Sequence, residues 1–146
     1  MSDYYGFTTQ SVANPFFTLE VLKSAVPRLI LLIPSGTELN LFAEVPQVHW
    51  PSPAGEFYQL GGHRLWAAPE RPEVTYLPDG EGASLISIPG GFKLTRQDHF
   101  TTHYERSIEV TLDPAAPVMA LKHTITNLGD APLPAAPWVV TQFRMG

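Results

Sequence analysis

At 146 residues, the chain has the length of one domain with a single core, and 44% apolar against 16% charged residues excludes an acidic disordered tail. A formal charge of −5 with the nine Lys and Arg scattered leaves no basic stripe, which argues against a nucleic-acid partner. The absence of cysteine removes disulfides, thiolate metal sites and a cysteine nucleophile, and fits a reducing compartment.

The first residues, MSDYYGFTTQSVANP, lack a basic start followed by an apolar run, so no signal peptide is read there. The longest apolar run, 29–33, is far shorter than the ~20 residues of a membrane-spanning helix. A cytoplasmic protein with no membrane partner is the expectation. Fifteen prolines and eleven glycines, spread along the chain, leave little room for helices and punctuate short strands.

In chain order, 1–15 reads as an N-terminal extension and 16–146 as a single β domain. FFTLEVL (16–22) sets Phe17, Leu19 and Val21 on one face and Thr18 and Glu20 on the other, a period of two that predicts a strand. RLILLIP (28–34) is short and continuously apolar, as a strand buried on both faces is. After the turn SGTE, LNLFAEV (39–45) alternates again, with Asn40 opposite the apolar positions, and the three strands suggest a meander. From Pro46 to Pro72 regularity stops, with Pro51, Pro53 and Pro69 between. This segment reads as a long structured loop or a series of short extended pieces, a kind of loop that often carries function.

Beyond a Pro78-Asp79-Gly80 turn, SLISIPGGFKLTRQ gives two short strands around Pro89-Gly90-Gly91. HYERSIEVTLDP turns Ile108, Val110 and Leu112 one way and Glu105, Ser107, Glu109 and Thr111 the other. PVMALKHTITNLGDAPL is a further strand ending in a turn over 127–130, and APWVVTQFRMG starts a last one. Val139, Val140 and Phe143 there have no following partner strand, so this edge invites pairing with another copy or another chain. The total is eight or nine strands and no helix: an all-β, antiparallel β-sandwich.

The stretch YQLGGHRLWAAPERPE (58–73) sets a basic pair, His63 and Arg64, between two glycines and a tryptophan. RLILLIPSGTELNLFAEVP, then GGHRLWAAPE, then TITNLGDAPLPAAPWVVTQF resemble, in this order, the N-terminal half of galactose mutarotase-like proteins, the aldose 1-epimerase superfamily. The resemblance runs from Thr18 to Gly146. It implies a β-supersandwich that binds a sugar in a groove on one sheet, in a protein about twice this length whose first half is this chain. It also implies that Arg64 contacts sugar hydroxyls, a task suited to the five donors of a planar guanidinium. His63 would add a donor, Trp66 would lie under a pyranose ring, Asn40 completes the expected sugar contacts, and no cofactor or metal is required.

The chain departs from that family at the chemistry. Characterised mutarotases use a histidine acid on the ring oxygen and a glutamate base on the anomeric hydroxyl. The acid lies in a His-Pro-Tyr segment where this sequence has Ala136-Pro137-Trp138, and the base belongs to the second half. Catalytic residues are therefore not assigned.

Each residue also has a plainer role. Arg64 can instead bond carbonyls of the proline-rich segment, and Trp50, Trp66 and Trp138 can be packing residues. His99 and His103 form H-x-x-x-H, but on a strand four residues span about 13 Å, too far for one metal ion. Glu70 and Glu73 read as solvated rather than as a glycosidase pair. Two functions remain: a carbohydrate-binding, epimerase-related protein, and a non-catalytic sugar-binding or assembly module whose open edge is completed by another chain.

Overall fold

The computed structural model describes residues 3–23, 27–78, 83–98 and 103–146. Its frame is two antiparallel sheets facing each other across one apolar layer. Strands β1 (Asp3–Tyr4) and β2 (Phe7–Ala13) form a hairpin, and β2 pairs with β3 (Phe17–Leu22). Residues 3–13 thus belong to the larger sheet. Their strand character rests on Thr and Val in FTTQSVA rather than on apolar alternation, and a Thr9 hydroxyl donating to Glu20 at 2.7 Å ties β2 to β3.

Strand β4 (Arg28–Pro34) pairs with β3 and is buried on both faces, as its sequence predicts. Leu29 and Leu32 enter the layer between the sheets, whereas Ile30 packs with Tyr4, Leu22 and Leu60 on the opposite face. The expected third strand of a meander does not form over 39–43, where Phe42 makes an isolated bridge to Phe143, and Glu44 and Val45 already belong to the next strand. The Asn40 side chain takes the backbone groups that a ladder would use, a known competition between Asx side chains and sheet.

The segment read as a long structured loop or a series of short extended pieces lies largely in a long hairpin of β5 (Glu44–Ser52) and β6 (Gly55–Ala68). Strand β5 pairs only with β6, which is why it tolerates Pro46 and Pro51, and its register breaks between Val45 and His49. A single-turn helix α1 (Pro72–Thr75), with proline at its start, follows.

Strands β7 (Ala83–Ile88), β8 (Gly91–Asp98), β9 (Tyr104–Leu112) and β10 (Met119–Asn127) form the smaller sheet in sequence order. Phe92, Leu94, Ile108, Val110 and Leu112 face Leu19, Val21, Leu29 and Leu65 across the layer. Strand β11 (Ala136–Gln142) returns to the larger sheet beside β6 and ends its hydrogen-bonded order, which runs β1, β2, β3, β4, β6, β11. Among the described residues, strands β10 and β11 are therefore the free edges of the two sheets on one side of the sandwich. No helix among the described residues is long and apolar enough to cross a membrane.

Candidate functional site

Strand β6 is bent at three residues with positive φ: Leu60 (56°), Gly61 (89°) and Gly62 (73°). A Cβ on Gly61 would lie 1.9 Å from the Ala43 carbonyl oxygen, and one on Gly62 2.1 Å from that of Leu29. The two glycines therefore let β6 leave the β5 hairpin and press against its own neighbours. They hold protein against protein rather than opening room for a ligand. Past the bend, His63 and Leu65 turn toward the smaller sheet, and Arg64 and Trp66 turn to the outer face of the larger one.

Arg64 does not project into an open groove. It is 1% exposed, with its guanidinium carbon 4.7 Å from the centre of a Trp66 ring and 5.5 Å from that of Phe57. Its Nη2 donates to the Gln59 carbonyl. Arg28, its cross-strand neighbour on β4, donates from Nη1 to the same carbonyl at 3.0 Å and to that of Tyr58 at 3.3 Å. The structural role weighed for Arg64 is the one observed: guanidinium donors serve carbonyls at the bend. Trp66, 6% exposed, packs against Trp138 at 5.1 Å, Tyr76 at 5.8 Å and Phe57 at 6.2 Å between ring centres. Of this cluster Trp138 is half-buried and borders the free edge of β11.

His63 is buried on the other face. Its Nδ1 lies 2.8 Å from the Thr141 hydroxyl on β11, and its Nε2 lies 2.8 Å from Nε2 of His123 on β10. Burial, reinforced by the neighbouring His123, pushes the His63 imidazole down to about 4, and burial lowers His123 as well. Both rings are neutral near pH 7, so one Nε2 carries the hydrogen that the other accepts. Sequence reading did not pair them, although His123 shares strand parity with Leu121 and Ile125 and so marks a polar group on an apolar face.

Asn40 is likewise consumed internally. Its Oδ1 accepts from the amides of Leu32 (2.9 Å) and Phe42 (3.1 Å), and its Nδ2 donates to the Ile30 carbonyl (3.1 Å) and to Glu44 (3.0 Å). The four expected sugar contacts thus do not converge. Arg64 and Trp66 meet on the outer face, His63 lies inside, and Asn40 braces β4.

What stays open lies elsewhere. A cleft of about 580 Å³ between Arg71, His103 and the loop 127–134 is lined in part by Asn127, whose amide is already bound to Ala131 and Gly129. Glu70 accepts a hydrogen bond from the Tyr76 hydroxyl. His99, expected as a partner of His103, lies outside the described residues, among which no group of three or more metal-ligating side chains gathers. A second open place is lateral. Val139 stands opposite Leu65 and so faces the layer between the sheets, yet it is 41% exposed, and Thr141 on the same face is exposed too. Comparison with protein-family models, curated proteins and solved structures finds no match to this chain.

Proposed function

We propose that the chain is an assembly module: a β-sandwich whose lateral side is completed by a second copy, with β11 pairing antiparallel to its own equivalent. The exposed inward face of β11 carries this reading. An apolar side chain directed at the core but left 41% in solvent, Val139, sits on a strand whose outer backbone edge has no partner among the described residues. Residues 136–142, APWVVTQ, hold no charge, so a two-fold pairing sets no like charges opposite each other. Strand β10, the other free edge on this side, carries Lys122, the kind of residue that guards an edge. Light scattering at micromolar concentration tests the reading: a dimer that Val139→Lys converts to monomer supports it, and a monomeric parent protein removes it.

A second reading keeps the carbohydrate. In this reading the protein is a carbohydrate binder related to the aldose 1-epimerases. The half-buried Trp138 against Trp66, on the outer face beside the free edge, favours it, because such an aromatic pair suits the apolar side of a pyranose. The buried Arg64 then supports the platform from beneath and does not touch the sugar. The galactose mutarotase-like sequence pattern and the all-β sandwich agree with this reading, while Ala136-Pro137-Trp138 in place of the acid-bearing segment speaks against epimerase chemistry in this chain.

A further inference from the structure

The contact between His63 and His123 is a polar link between the two sheets at their open side. It joins β6 to β10, while Thr141 of β11 fixes the outer nitrogen of the His63 ring. The hydrogen bond between the two Nε2 atoms requires one of them to stay bare and accept the hydrogen of the other. A proton on either one that lacks it leaves two N–H groups facing each other at 2.8 Å. We propose that this pair is a proton-sensitive latch: acidification releases β10 from β6 and opens the lateral side of the sandwich.

The groups around the pair do nothing to hold a proton there. From β9, Arg106 is buried and donates from Nη1 to the Leu65 carbonyl at 3.1 Å. Its strand neighbours Glu105 and Glu109 are engaged with Gln97, and with Lys93 and Lys122, on the other face of the smaller sheet. On β8, Arg96 donates to the Pro78 carbonyl. From the larger sheet, Arg28 and Arg64 lie on the far face, and β11 contributes only the Thr141 hydroxyl. No carboxylate among the described residues touches either ring. A second proton on the pair is therefore relieved only by opening, which hydrates both rings.

The latch shares its side of the molecule with the proposed dimer contact and rests on that reading only for its effect on assembly. It is read within one chain by amide exchange of β10, followed by NMR from pH 8 to pH 4.5 together with the ring signals of both histidines. With His63 held near 4 when closed and near 6.5 when open, the open state gains about 30-fold at pH 5 relative to pH 8, after correction for intrinsic exchange. The double variant H63Q/H123Q keeps a neutral donor and acceptor and loses the acid response. Should the double variant fail to fold, the parent protein still decides: protection in β10 must fall as the rings titrate. Constant protection through that titration, or an unchanged acid response in H63Q/H123Q, overturns the latch. A monomer at pH 7.5 overturns only the dimer.

Discussion

Replacing Gly62 by alanine perturbs the bend that organises both faces of β6. Two costs separate cleanly because Gly36 offers a control. Gly36 has φ of +79° with nothing within 4 Å of an added Cβ, while Gly62 has φ of +73° with the Leu29 carbonyl oxygen 2.1 Å away. Both alanines bear the left-handed backbone penalty of about 1–2 kcal/mol. Only Gly62→Ala must also push β4 from β6, and those strands meet through just two register pairs, Arg28 with Arg64 and Leu29 with His63. Losing one or two backbone hydrogen bonds at about 1 kcal/mol each, together with packing around the fully buried Leu29, brings the total to about 4–5 kcal/mol. That is a large part of the stability of an ordinary domain, about 5–15 kcal/mol. Urea unfolding followed by tryptophan fluorescence measures both variants. Equal losses for Gly62→Ala and Gly36→Ala would refute the close-approach argument.

Asn40→Leu strands the amides of Leu32 and Phe42 and the Ile30 carbonyl, and a loss of about 3 kcal/mol is expected in the same assay, whereas an exposed sugar contact would cost almost nothing. Acid weakens the fold through His63: the unfolded ring takes up its proton near pH 6.5 and the folded one only near 4. Stability is therefore whole above pH 6.5, and about 3 kcal/mol of it is lost as the pH falls to about 4, as unfolding curves at a series of pH values will record. For the carbohydrate reading, glucose and galactose should quench or shift the Trp138 emission at millimolar concentration. On that reading Ala136-Pro137-Trp138 would stand where the family carries its acid, and fresh α-anomers followed by polarimetry should then mutarotate no faster than in buffer.

Much of the fold was legible because two-residue alternation is a direct imprint of a one-sided sheet. Phe17, Leu19 and Val21 on β3, and Ile108, Val110 and Leu112 on β9, face the layer as their spacing predicts. The β5–β6 hairpin was illegible for the opposite reason. Its prolines signal a break, yet they fall on an edge strand that spares their missing donors, and its glycines mark a bend within β6 rather than an end. The roles of the basic pair were beyond sequence reading as well. Residue type says that Arg64 brings donors, but only the path of the chain decides that Gln59 and Tyr58, upstream on the same strand, receive those of Arg64 and Arg28. The partner of His63 came from 60 residues away, on the other sheet.

Hydrogen exchange along β11 bears most directly on the assembly claim. One set of its amides is held by β6, and the set facing away has no acceptor strand among the described residues. Pairing with a second copy protects the outward set at high concentration and leaves it fast on dilution below the dimer's dissociation constant. Outward amides that exchange freely at every concentration, in a protein otherwise fully folded, would contradict it.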